Sequence, residues 1–114
     1  MLVDDEDLVR ASTAEMLAEL GYAVVEAASA EDAIRLLNGG LKAHVVVTDH
    51  LMPGMSGADL ARRLREDVPG LPTLIISGYA EDDGVAFDLP RLTKPFRQSE
   101  LAAALGRLSE KAEI

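Results

Sequence analysis

The stretch Ala43-His44-Val45-Val46-Val47-Thr48-Asp49, followed at once by His50-Leu51-Met52-Pro53-Gly54-Met55-Ser56-Gly57, decides how the rest of the chain is read. A β-branched run too short for a helix ends on a carboxylate, and a Pro/Gly turn breaks the chain directly after it. In a parallel sheet, that is the end at which chemistry is presented. Outward from this run, two more apolar runs also end on charge. Met1-Leu2-Val3 leads into Asp4-Asp5-Glu6, and Arg91-Leu92-Thr93 leads into Lys94-Pro95. Three acids and one lysine at strand ends compose a site for a divalent cation and a phosphoryl group.

Apolar runs and amphipathic stretches alternate along the whole chain. The pattern predicts strands at 1–3, 23–26, 44–48, 73–76 and 91–93. It predicts helices at 7–20, 30–38, 57–67 and 98–111, with a weak, shortened fourth helix at 80–88. Val9, Met16, Leu17 and Leu20 make one buried stripe, and Leu101, Ala104, Leu105 and Leu108 another. Ser29 and Ser56 read as N-caps with an acid three residues on, and Gly21 and Gly39-Gly40 stand where helices should stop. Strict alternation implies a parallel sheet with helices on both faces, because right-handed crossovers leave few other arrangements. Asp82-Asp83-Gly84 and Pro90 are what clip the fourth helix.

A chain of 114 residues is read as one domain, 1–114, with a core that needs no staples. Its first strand has only three residues before the acids, so we expect that strand to be truncated and the chain to begin inside a longer parent. Eleven basic against twenty acidic residues gives a net charge of −9, which disfavours nucleic-acid binding. No run approaches the roughly 20 apolar residues of a membrane span, and no signal peptide is visible where Met1-Leu2-Val3 runs into Asp4-Asp5-Glu6. The absence of cysteine suits a reducing compartment. The expectation is a cytoplasmic domain, without membrane or nucleic-acid contacts, that is a monomer or weak dimer.

Each residue at the strand ends suits transfer of a phosphoryl group to a carboxylate. Asp49 would be the nucleophile and give an aspartyl phosphate. Asp5 and Asp49, with a backbone carbonyl, would bind Mg²⁺, which prefers hard oxygens. Clustered carboxylates repel by about 4 kcal/mol at 4 Å and an effective dielectric near 20, so the cluster makes sense with a cation in it. Lys94 supplies a flexible point charge for a phosphoryl oxygen, and Ser77 a hydroxyl. Taken singly, Asp4-Asp5 is a cap pair, Asp49 or Ser77 a turn residue, and Lys94 a solvated lysine; their joint occurrence favours the phosphoacceptor. His44 and His50 lack a partner histidine and read as structural or solvent-facing, while Met52 and Met55 read as core.

Asp4-Asp5-Glu6, Asp49 through Gly57, Ser77-Gly78 and Lys94-Pro95-Phe96 together resemble the receiver domain of two-component response regulators. With Ser77-Gly78-Tyr79-Ala80-Glu81 and the short fourth helix, the chain is most like the C-terminal receivers of hybrid sensor histidine kinases. The resemblance implies a flavodoxin-like three-layer α/β/α sandwich with five parallel strands in the order 2-1-3-4-5. It implies Mg²⁺-dependent phosphoryl transfer from a histidine kinase or phosphotransfer histidine to Asp49. Asp5 then resembles the direct metal ligand, Asp4 the acid acting through water, and Leu51 the donor of a backbone carbonyl. Ser77 and Lys94 match the grips on the phosphoryl oxygens, relaying the change to the face of the fourth helix, fifth strand and fifth helix. Receivers commonly carry Tyr or Phe three residues before the lysine; here Arg91 stands there, a departure that bears on how the signal leaves the site.

On this reading the domain is not an enzyme with a small-molecule product; it only phosphorylates and dephosphorylates itself. Two other classes stay in view. A degenerate receiver would serve only as a docking module. An aspartyl-nucleophile phosphatase of the haloacid-dehalogenase type would need an acid where Leu51 stands, and a cap domain.

Overall fold

The computed structural model describes residues 1–78 and 89–112, the side chains of 109–112 excepted. The expected fourth helix, with Tyr79, falls outside the described residues. The elements run β1 (Leu2–Val3), α1 (Asp7–Glu19), β2 (Glu26–Ala27), α2 (Ala30–Asn38), β3 (Val46–Asp49), α3 (Gly57–Asp67), β4 (Thr73–Ser77), β5 (Arg91–Thr93) and α4 (Gln98–Ala112). All four strand pairings are parallel, in the order β2-β1-β3-β4-β5.

Strand alternation sends successive residues to opposite faces, and helices cover both. Leu2, Val47, Leu74 and Ile76 pack against Leu17 of α1 and Leu101, Ala104, Leu105 and Leu108 of α4. Their neighbours Val3 and Val46 pack on the other face against Ala30 and Ala33 of α2 and Leu60 and Leu64 of α3. Three layers follow. Each fully buried leucine, such as Leu60, Leu101 or Leu105, contributes about 1.5–3 kcal/mol relative to exposure. Val9 joins neither cluster as a buried member; Thr13, one turn on, is the buried residue instead.

The helix starts follow the caps read from sequence. Ser29 Oγ accepts from Asp32 N at 3.0 Å, and Ser56 Oγ accepts from Asp59 N at 3.1 Å. Gly21 and Gly40 take φ of +99° and +104° just beyond α1 and α2, where a Cβ would be strained. The first and fourth strands differ from expectation by one residue, as Leu2–Val3 and Thr73–Ser77, and two strands start later by two or three. The second strand is Glu26–Ala27 rather than 23–26, and the third is Val46–Asp49 rather than 44–48. Pairing sets these limits: the register of β1 on β2 is Leu2 with Glu26 and Val3 with Ala27, with Leu2 N donating to the Val25 carbonyl at 2.8 Å. Apolar Val24 and Val25 precede that register. Among the described residues, no helix is long and apolar enough to cross a membrane.

Candidate functional site

The order β2-β1-β3 means the chain leaves β1 on one side and returns to β3 on the other. The crevice beyond the carboxyl ends of those two strands is the topological switch point where open α/β sheets bind ligands. Asp4 and Asp5 follow β1 there, and Asp49 is the last residue of β3. Carboxylate oxygens of the three lie within 4.8 Å of one another. Asp4 and Asp49 are buried, whereas Asp5 is exposed.

Each acid is held differently. Asp4 Oδ1 accepts from Glu6 N at 2.9 Å, which fixes the carboxylate against its own loop. Burial pushes the Asp4 carboxyl above its usual range; the Glu6 N–H and Lys94 oppose the shift, and the charges of Asp49 and Asp5 add to it. Asp49 is met by Lys94, whose Nζ donates to Oδ1 at 2.8 Å. Lys94 comes just after β5 and precedes a cis peptide to Pro95. Its backbone N donates to the carbonyl of Ser77 at 2.8 Å, so the lysine is carried on the end of β4. Ser77, fully buried, closes β4 between the strands that bear Asp49 and Lys94.

The loop after Asp49 is pinned tightly. His50 N donates to Ile76 O at 2.9 Å, and Gly57 N donates to His50 O at 2.7 Å. At Gly57 a Cβ would fall on the Asp49 carbonyl oxygen and 2.9 Å from His50 Cα, so only glycine lets α3 begin so close to Asp49. Glu31 of α2 braces the same loop: its Oε2 accepts from Met55 N at 3.3 Å. Leu51, in this loop, keeps 59% of its surface exposed.

The structure thus brings together Asp4, Asp5, Asp49 and Lys94, with Ser77 on the adjoining strand end. Arg91 opens β5 opposite Ile75 and is partly buried. The histidines separate. His44 is exposed and lies before β3, not within it. His50 is only 5% exposed, so the solvent-facing alternative is wrong for it; its Nδ1 is buried without a hydrogen-bond partner among the described residues. Sequence reasoning missed Gly57 as a steric necessity and Arg10 as a partner of the acidic loop. For Gly57 the available signal was a glycine in the first turn of a helix, where no turn geometry asks for one. For Arg10 it was an arginine one turn beyond the paired acids.

A set of hard oxygen donors with a buried, mutually repelling core fits a hard divalent cation. A lysine on the third acid adds a second positive charge that can follow an anion. Together they can hold a dianionic group against a carboxylate.

The family model for the response regulator receiver domain matches residues 1–106. The sensor kinase CckA of Brucella abortus (strain 2308) is 38% identical over 120 residues, covering 99% of this chain and 13% of that protein. The transcriptional regulatory protein FixJ of Rhizobium meliloti (strain 1021) is 36% identical over 115 residues, covering 96% of this chain and 55% of that protein. The chain therefore spans about half or less of these curated relatives. A response regulator receiver protein from Sinorhizobium medicae WSM419 superposes with a TM-score of 0.85 at 30% identity, covering 97% of this chain and 93% of that one. A response regulator receiver domain protein from Clostridium thermocellum gives 0.87 at 25% identity, covering 98% and 94%.

Proposed function

Since the chain belongs to the response regulator receiver domain family, whose members are phosphoacceptor signalling domains of two-component systems, we propose that Asp49 takes a phosphoryl group from a phosphohistidine. The donor is a histidine kinase or a histidine phosphotransfer domain, in the same parent protein or a separate one. A carboxylate oxygen of Asp49 attacks phosphorus; the bond from phosphorus to the imidazole nitrogen breaks, and its electron pair stays on the imidazole. The product is a mixed anhydride on Asp49. Water later attacks phosphorus, releasing inorganic phosphate and restoring the carboxylate.

The chain's own residues prepare this step. Lys94 holds Asp49 Oδ1 and, as negative charge moves outward, follows it to a phosphoryl oxygen. Ser77 offers its hydroxyl from the end of β4. The residues that would hold Mg²⁺ are Asp5 and Asp49 directly, Asp4 through water, and the backbone carbonyl of Leu51. The ion would neutralise charge shared by the attacking carboxylate and the phosphoryl oxygens. No product other than phosphate leaves the site, so the domain is a switch rather than a metabolic enzyme.

The observation carrying this reading is the meeting of three carboxylates within 4.8 Å with the lysine ammonium on one of them. Acetyl phosphate, or beryllofluoride, added with Mg²⁺ should shift amide resonances around Asp49 and Lys94 in the wild type. The Asp49→Asn variant should not respond. A wild type that gives no response overturns the proposal.

A further inference from the structure

Both acids contributed by β1 sit on a connection of only three residues, 4–6, between Val3 and the start of α1. So short a loop has few internal bonds with which to fix itself. One is the Asp4 side chain taking Glu6 N. The main chain adds two bonds, Asp4 N donating to the Ala27 carbonyl at 3.1 Å and Arg10 N to the Glu6 carbonyl at 2.8 Å. The remaining side-chain restraint comes from Arg10, one turn into α1. Its Nη1 donates to the Asp4 carbonyl oxygen at 2.8 Å, its Nη2 to Asp7 Oδ1 at 2.9 Å and its Nε to Glu26 Oε1 at 3.1 Å. One planar fork therefore joins the acidic loop, the first turn of α1 and the edge strand β2. The side chain is only 17% exposed.

We propose that Arg10 is a positioning residue for the cation site: it sets where the Asp4–Asp5 loop presents its carboxylates, and Asp7 and Glu26 aim it. The inference rests on the functional reading above. Geometry, not charge, is its mode of action. Asp7 and Glu26 more than offset the guanidinium charge, and a guanidinium beside the site would by itself repel a cation, so weaker binding on its loss must come through geometry. The Asp4 carbonyl needs a donor, and Arg10 supplies it from outside the loop. A lysine keeps the charge but has no rigid fork with which to serve three acceptors on three elements.

Arg10→Lys and Arg10→Gln should each weaken Mg²⁺ binding about tenfold, the usual cost of losing support behind a ligand. Isothermal titration of the whole chain with MgCl₂ reads this directly. Without metal, both variants should show faster hydrogen exchange at the amide of Glu6 than wild type. Glu26→Gln should weaken binding less, because the bond to the Asp4 carbonyl survives. Ala104→Gly, in α4, serves as a control that lowers stability away from the site and should leave Mg²⁺ affinity within twofold of wild type. Arg10→Lys binding as wild type does would overturn the inference alone, as would equal loss in Ala104→Gly at matched stability. A wild type that binds no Mg²⁺ would overturn both this inference and the function it rests on.

Discussion

Lys94 Nζ donates to Asp49 Oδ1 at 2.8 Å, so the lysine proposed to grip a phosphoryl group holds the bare Asp49 carboxylate in its absence. The pair is asymmetric: 37% of the lysine side chain is exposed, but only 9% of the aspartate. Removing the lysine leaves a buried carboxylate beside two other acids. Lys94→Ala should therefore destabilise the metal-free chain by about 1–3 kcal/mol, below the full cost for a buried pair because water screens the lysine side. In an Asp49→Asn background the same change should cost much less. Urea denaturation of the four proteins gives the coupling; additive effects would mean the bond contributes nothing.

Asp4 makes the opposite prediction. Burial is the main reason its carboxyl lies above the usual value of 3.8, so the protonated form suits the folded state better than the ionised one. The favourable contribution of this group is fully present below 3.8 and is lost as pH rises through the elevated folded value. Metal-free stability should thus fall over that window on account of Asp4, and Asp4→Asn should flatten the fall. At neutral pH without metal the variant should be the more stable protein. Mg²⁺ at 100 times the wild-type Kd should narrow or reverse the order, since it adds about 2.7 kcal/mol to wild type and less to a variant whose site is weakened by losing one carboxylate. Thermal melts with and without EDTA check both halves.

Much of this site was legible because its residues mark strand ends in the sequence itself. Asp49 ends an apolar run, Lys94 follows another, and the caps at Ser29 and Ser56 fix where α2 and α3 begin. Strand limits were less legible, because they depend on a neighbour. Val24 and Val25 are good strand residues, yet β2 starts at Glu26, where β1 is there to pair with it. Arg10 reaches Glu26 across sixteen residues of chain, and no local pattern announces such a contact. His50 shows the same limit. Its place after Asp49 leaves it structural or solvent-facing in the sequence, and the fold decides for the buried alternative.

Gly57 is the sharpest steric prediction. Its missing side chain is what lets α3 start against the main chain of Asp49 and His50. Gly57→Ala should cost about 1–3 kcal/mol as backbone shifts to admit the methyl group. Because the backbone it displaces carries Asp49, the proposed phosphoacceptor, phosphorylation by acetyl phosphate should slow even at temperatures where the variant remains folded. Normal phosphorylation in a destabilised Gly57→Ala would separate the glycine from the chemistry.

His50 should tolerate more than its position suggests. A buried nitrogen without a partner costs about 1–3 kcal/mol. His50→Leu removes that polar atom at similar volume, and should stabilise the chain by about 1 kcal/mol in urea denaturation. Its response to beryllofluoride with Mg²⁺ should be unchanged, since no bond of the imidazole reaches Asp49. Loss of the response would instead give the side chain a part in phosphorylation.

Leu51 bears on how long the phosphoryl group lasts. It follows Asp49 by two residues and keeps 59% of its surface exposed, so a bulky apolar group stands in the loop beside the nucleophile. An apolar side chain offers an incoming water no hydrogen bond, and we expect its bulk to hinder the approach. An asparagine there could orient the water through one hydrogen bond of about 1 kcal/mol, or about fivefold in rate. Leu51→Asn should therefore lose phosphate about fivefold faster than wild type, with the Mg²⁺ affinity unchanged because the substitution leaves the backbone carbonyl in place. Following inorganic phosphate release after removal of acetyl phosphate measures this. Equal rates in the two proteins would show that the side chain at this position does not govern the lifetime.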